Sequence, residues 1–309
     1  MGELREIASG LRFPEGPIAM NDGSVVLVEI ARGTLSRVDV SSGAVDVVAE
    51  CGGGPNGAAI GPDGAAYVCN NGGCFEWIEA GGMLFPGPPP ASYPGRGSIQ
   101  RVELATGTIE DLYLECDGRP LRAPNDLVFD AAGGFWFTDH GVREHRTSDR
   151  TGIYYARADG SSIREVIFPV DAPNGIGLAP DGERLYVAET HTGRVWAWPV
   201  SEPGVVVATN PVGPGGGELL CGLPGMQLLD SLAVDGDGWV CVATLVNGGI
   251  TSIAPDGAIV EHLPTGDPIT TNICFGGADL GTAFITCSAS GRLVATDWAR
   301  PGLQLAYTA

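Results

Sequence analysis

The chain has 309 residues, with 37 acidic and 17 basic side chains and a net charge of −20, and every basic residue is an arginine. The missing lysine excludes phosphate-loop kinases, ATPases and Schiff-base chemistry, and the charge argues against nucleic acids and anionic membrane surfaces as partners. Glycine (48) and proline (23) are too abundant for a helical bundle, while 44% hydrophobic residues are too many for a disordered chain, so a turn-rich all-β protein is expected.

In chain order, one pattern recurs six times. A short polar motif runs into an apolar strand, an Asp/Asn/Gly turn follows, and a second apolar strand comes next. The first halves are Phe13-Pro-Glu-Gly-Pro-Ile-Ala, Gly54-Pro-Asn-Gly-Ala-Ala-Ile, Ala123-Pro-Asn-Asp-Leu-Val-Phe, Ala172-Pro-Asn-Gly-Ile-Gly-Leu, Leu229-Asp-Ser-Leu-Ala-Val and Thr271-Asn-Ile-Cys-Phe-Gly. The second halves include Ser24-Val-Val-Leu-Val-Glu, Phe135-Trp-Phe-Thr-Asp and Arg184-Leu-Tyr-Val-Ala-Glu. Turns such as Pro62-Asp-Gly and Pro180-Asp-Gly lie between the halves, because Asp and Gly suit tight hairpins. A third, glycine-opened strand follows each pair, as in Gly193-Arg-Val-Trp-Ala-Trp, and often a fourth.

Six such units predict a single domain over residues 1–309. The fold class is all-β: a six-bladed β-propeller, four antiparallel strands per blade. One terminal segment, Leu4–Ser9 or Leu303–Tyr307, is expected to close the ring and remove open edges. A proline- and glycine-rich stretch at about 81–97 reads as an inserted surface loop near the channel mouth. No apolar run of about 18 residues occurs and Met1-Gly-Glu-Leu-Arg5 does not resemble a leader, so a cytoplasmic protein is expected. The eight cysteines are scattered without a CxxC pair and read as small buried hydrophobes.

First strands of propeller blades line the central channel, so the motif residues should approach the axis from six sides. They are Glu15, Asn56, Asn125, Asn174, Asp230 and Asn272, all carboxylates or carboxamides. Asx residues also cap turns locally, a reading that explains Glu15 poorly. A ring of hard oxygens suits one divalent cation, Ca²⁺ or Mg²⁺ before Zn²⁺. Without a cation, Glu15 and Asp230 would repel each other.

These residues carry a family resemblance. Phe13-Pro-Glu-Gly, Ala123-Pro-Asn-Asp-Leu, Phe137-Thr-Asp, Ala172-Pro-Asn-Gly-Ile-Gly-Leu-Ala-Pro-Asp-Gly, Tyr186-Val-Ala-Glu-Thr, Asp230-Ser-Leu-Ala-Val-Asp and Thr271-Asn-Ile-Cys-Phe-Gly-Gly-Ala-Asp-Leu resemble the gluconolactonase/regucalcin (senescence marker protein) family of six-bladed propellers. The resemblance implies that Glu15, Asn174 and Asp230 bind one divalent metal ion, Ca²⁺ foremost, with Mg²⁺, Mn²⁺ or Zn²⁺ open. It also implies that Asn125 contacts substrate and Asp126 supplies the base. Regucalcin-like members carry an arginine where this chain has Ala123; Arg122 lies one position off.

The expected function is metal-dependent opening of a lactone, a sugar lactone or related cyclic ester, with a polarised carbonyl and an Asp126-activated water. Asp126 is alternatively a turn residue. His140 and His191 end second strands at equivalent places and are candidate substrate contacts beside Asn56 and Asn125. No HExxH helix or GxSxG elbow occurs, and Gly52–Gly57, a formal GxGxxG, leads into a strand and reads as a turn. The alternatives are a non-catalytic metal-binding or interaction propeller and a strictosidine-synthase-like enzyme. The partner expected is a small-molecule substrate; the oligomeric state is left open.

Overall fold

The computed structural model describes residues 2–309. Six antiparallel blades succeed one another along the chain, five of them four-stranded and the fourth with an extra short strand. Blade 1 comprises Pro14–Ala19, Val25–Glu29, Thr34–Val38 and Val45–Glu50. Blade 2 comprises Pro55–Ile60, Ala66–Asn70, Ser98–Val102 and Ile109–Tyr113. Blade 3 comprises Pro124–Phe129, Gly134–Asp139, Thr151–Arg157 and Ile163–Val170. Blade 4 is built on Pro173–Leu178, Arg184–Glu189 and Arg194–Glu202, with Glu218–Gly222 and the short Val205–Val206 on its outer side. Blade 5 comprises Leu228–Val234, Val240–Leu245, Gly249–Ile253 and Val260–Pro264.

Blade 6 closes the ring. Thr270–Gly276, Thr282–Cys287 and Arg292–Asp297 take the N-terminal strand Arg5–Ala8 as their outer neighbour. Of the two terminal segments that the sequence offered, the N-terminal one therefore closes the sheet. Leu303–Tyr307 is not a blade strand. It crosses the far mouth of the channel: Gly236 N donates to Pro301 O (2.7 Å), Tyr307 packs edge-on against Phe129 (5.7 Å) and Asn21 N donates to Ala309 O (2.7 Å). The channel it floors is a cavity of about 670 Å³ that reaches up to Asp126 and Asn272.

The blades form where they do because their inner strands are buried on both faces. Val25–Glu29 is buried at every position, whereas the outer strand Val45–Glu50 is largely exposed. The hairpins between first and second strands are fixed locally. In Pro62-Asp-Gly, Asp63 Oδ1 accepts from Ala65 N (3.2 Å) and Gly64 takes φ 79°; Asp181 and Gly182 (φ 75°) repeat this in blade 4. Aromatic layers join blades: Phe137 stacks on Tyr154 (4.9 Å) beside Tyr67 and Phe135, and Trp136 and Trp198 are fully buried between blades 3 and 4. Truncating either tryptophan to Ala should cost about 3–5 kcal/mol. Six of the eight cysteines are buried. Among the described residues no helix is long and apolar enough to cross a membrane.

The insertion in blade 2 is larger and more ordered than a loop at 81–97. Residues 71–97 join the second and third strands and contain a hairpin, Trp77–Ala80 paired with Met83–Pro86.

Candidate metal centre and active site

Each first strand breaks register with its second strand at the polar motif. The shifts fall at Glu15/Ile18, Pro55/Ala58, Pro124/Leu127, Pro173/Ile176, Leu229/Leu232 and Thr270/Asn272. Such bulges re-aim side chains out of the ladder, which is how six strands present polar groups to one axis. The registers also correct the sixth position. Thr270 faces Cys287 and Ile273 faces Ile285, just as Pro124 faces Asp139 and Leu127 faces Phe137. Counting from these pairs, Thr271 is the counterpart of Asn125, and Asn272 is the counterpart of Asp126.

The motifs are held by groups that the sequence reading did not single out. In four blades the last residue of the second strand accepts a backbone N–H from the segment leading into the first. Glu29 takes Arg12 N (2.7 Å), Asn70 takes Gly54 N (3.0 Å), Asp139 takes Arg122 N (2.6 Å) and Ala123 N (2.7 Å), and Glu189 takes Asp171 N (3.1 Å). The signal was available: these apolar strands all end in Glu, Asp or Asn. Two lead-in residues are strained. Phe13, before Pro14-Glu15, has φ 60°, and Ala172, before Pro173-Asn174, has φ 46°. Left-handed backbone is costly for residues with a Cβ and concentrates at functional sites.

Glu15, Asp126, Asn174 and Asp230 come together at one end of the channel. Glu15 is 1% exposed; its Oε2 accepts from Asn272 Nδ2 (2.8 Å) and from Gly16 N, while its Oε1 has no partner. Burial raises the Glu15 pKa well above the usual range, and the Asp230 and Asp126 charges raise it further. Asp126 is pushed up to about 7 by burial, partly offset by donors that include Leu127 N (2.9 Å). Asp230 is also pushed up to about 7, by burial first and then by Asp126, with Asn174 opposing. Asn174 Nδ2 donates to Thr190 Oγ1 (3.1 Å), and its Oδ1 accepts from Ser231 Oγ (3.5 Å). Asn125 is buried with its Oδ1 unpartnered, and Asn56 is buried at the equivalent place in blade 2.

These residues fit a hard divalent cation. Three carboxyls converge with no arginine paired to any of them among the described residues, and two buried oxygens, Glu15 Oε1 and Asn125 Oδ1, lack partners. Among the described residues no three His, Cys, Asp or Glu side chains form a ligand cluster by themselves; the other oxygens at hand are the carboxamides of Asn174 and Asn125. That donor chemistry suits Ca²⁺ or Mg²⁺.

His140 and His191 meet across blades 3 and 4, with ring centroids 5.7 Å apart at 69°. Burial lowers the pKa of both, His191 to about 4, so both are neutral donor–acceptors at pH 7. Arg122 is committed elsewhere. Its Nε donates to Asp149 (2.8 Å), one terminal N–H donates to Gly95 O and its guanidinium lies over Tyr93 (5.7 Å), so it anchors the insertion rather than facing the ring.

Residues 13–289 match the family described as the SMP-30/Gluconolactonase/LRE-like region. The chain belongs to that family. It is 27% identical over 237 residues to lactonase drp35 of Staphylococcus haemolyticus, a match covering 76% of this chain and 64% of that relative. It is 24% identical over 302 residues to gluconolactonase of Zymomonas mobilis, covering 88% and 76%. Among solved structures, a gluconolactonase from Xanthomonas campestris superposes with TM-score 0.75 at 22% identity, covering 96% of this chain and 89% of that one. A calcium-binding regucalcin from Agrobacterium tumefaciens superposes with TM-score 0.76 at 18% identity, covering 97% and 95%. The structural matches bear on the fold, which they share.

Proposed function

We propose that the protein is a metal-dependent hydrolase that opens a lactone, a sugar lactone or related cyclic ester. The observation that carries this is the convergence of Glu15, Asp126 and Asp230 with the unpartnered oxygens of Glu15 and Asn125; the lactonase and gluconolactonase relatives support it. Glu15, Asn174 and Asp230 are assigned to hold one divalent ion, Ca²⁺ first, with Mg²⁺, Mn²⁺ or Zn²⁺ as substitutes. Bound there, such an ion supplies Lewis-acid polarisation of the substrate carbonyl.

The chain's own residues do the rest. Asp126 in its ionised form takes a proton from water as the water oxygen bonds to the carbonyl carbon. The ring C–O bond then breaks, and the released alkoxide recovers that proton, leaving a hydroxy acid. Burial pushes the Asp126 pKa up to about 7 in the metal-free site, and a cation held beside it would favour the ionised form that acts as base. Asn125, His140, His191 and Asn56 are assigned to substrate positioning, the histidines as neutral hydrogen-bonding groups at the blade 3–4 rim. The test is a pH-indicator assay on sugar lactones and γ- and δ-lactones, with each divalent ion and with EDTA. Hydrolysis abolished by EDTA and restored by metal supports the reading. EDTA-insensitive hydrolysis rejects the metal role, and no hydrolysis leaves a binding propeller as the better description.

A further inference from the structure

Connections between second and third strands all leave from the face that carries the polar ring, because each second strand ends opposite the start of its first, as Asn70 does opposite Pro55 and Asp139 opposite Pro124. In blades 1, 4, 5 and 6 these connections are tight turns, whereas in blade 2 the connection is residues 71–97. Its hairpin reaches across blade 1 to blade 6. Glu79 pairs with Arg12 (3.1 Å), and Leu84 N donates to Ala289 O (2.8 Å) in the turn after the second strand of blade 6.

The underside of this arm is apolar and aromatic. Trp77 and Leu84 pack with Phe13, Ile30 and Ile269, and the Trp77 and Phe13 rings are 4.9 Å apart. Phe75 follows at 6.1 Å from Trp77 and packs with Ala123 and Val142. Phe13 stands two residues before Glu15, and Ala123 two before Asn125. The strip Phe13–Trp77–Phe75 therefore runs along the residues that lead into the ring positions of blades 1 and 3, on the face that carries the polar ring. Trp77 and Phe75 stay partly exposed in spite of this packing. Of the two arginines beside the strip, Arg12 is paired with Glu79 and Arg122 with Asp149.

We infer that Trp77 and Phe75 form the wall against which an apolar ring substituent of the substrate lies, so that the preferred substrates are lactones bearing an alkyl or aryl group rather than polyhydroxylated ones. The inference rests on the lactone-hydrolase reading and narrows it to a substrate class. A partly exposed aromatic wall rewards each methylene that it covers, by up to about fourfold in kcat/KM.

The experiment compares kcat/KM on γ-lactones carrying no substituent, a propyl and a hexyl chain, and on a polyhydroxylated δ-lactone, for the metal-loaded wild type, Trp77→Ala and Phe75→Ala, with thermal melts of each. In the wild type, kcat/KM should rise about threefold per methylene over the first few carbons, and the polyhydroxylated lactone should lie at least about tenfold below the hexyl compound. In each variant that melts cooperatively, the hexyl-to-unsubstituted ratio should fall by about tenfold. A flat chain-length profile, a preference for the polyhydroxylated lactone, or ratios unchanged in both variants would overturn the wall while leaving the hydrolase reading intact. Hydrolysis of no lactone with any ion would overturn both.

Discussion

Asn272 donates from Nδ2 to Glu15 Oε2 at 2.8 Å across a sequence separation of 257 residues, joining the last blade to the first at the candidate metal centre. The bond occupies one carboxylate oxygen and leaves Oε1 buried without a partner. Ring closure therefore adds to the orientation of Glu15, whose Oε2 also accepts from Gly16 N within blade 1.

Removing that donor should weaken metal binding without abolishing it. Asn272→Ala is expected to lower Ca²⁺ affinity by about tenfold, the usual scale for a partner that orients a ligand. Glu15→Gln should lower it by about a hundredfold or more. Calorimetric titration of chelator-stripped protein checks both. In the wild type, Ca²⁺ at a hundred times its Kd should add about 3 kcal/mol to unfolding stability.

If Asp126 is the base and not a ligand, it should be separable from the metal set. Asp126→Asn should reduce kcat by about 10²–10⁴ while Ca²⁺ affinity stays within a few-fold of wild type. Steady-state rates and metal titration on the same preparation test this. Turnover retained in that variant would make Asp126 a structural turn residue.

The raised carboxyl pKa values imply a specific pH dependence for the metal-free protein. Asp126 and Asp230 bind protons up to about pH 7 when folded but only to about pH 4 when unfolded. In that window the folded state holds more protons, so the contribution of these groups to stability falls as pH rises and levels off above pH 7. Asp230→Asn should therefore gain on wild type between pH 4 and 7, by at most about 4 kcal/mol. Denaturant midpoints measured in EDTA provide the comparison, and metal should reverse the order by favouring the ionised form.

The strained lead-in residues give a prediction of opposite character. Ala172 sits at φ 46°, where an L-residue costs about 1–2 kcal/mol, against about 0.5–1 kcal/mol of extra chain entropy for glycine. Ala172→Gly should stabilise the fold by about 0.5–1 kcal/mol, read as a higher denaturant midpoint. Phe13→Gly, at the same place in blade 1, should destabilise it instead, because Phe13 also packs against Trp77 and Leu84.

Much of the architecture is legible in the sequence, because a propeller blade is a local object. Each hairpin is set by neighbouring residues such as Asp63 and Gly64, and strands buried on both faces appear as apolar runs like Val25–Val28. The polar motif positions, Glu15, Asn174 and Asp230 among them, were legible for the same reason, since the motifs repeat at the start of each first strand; choosing these three as the metal set came from the family resemblance. Asn272 shows where repetition misleads. Thr271-Asn272 looks like the Pro-Asn of other blades, but the bulge in blade 6 moves the asparagine to the position that Asp126 holds in blade 3.

By itself, then, the sequence determined the blade count, the turns and the residue types offered to the axis, all of which depend on contacts a few residues apart. Tertiary structure decided which terminus closes the ring, that Arg122 anchors an arm instead of facing the ring, and that the arm lays Trp77 on Phe13, two residues before Glu15. It also decided the raised pKa values of three carboxyls. Those outcomes depend on groups far apart in the chain sharing one low-dielectric space, and no periodicity in a sequence encodes that sharing.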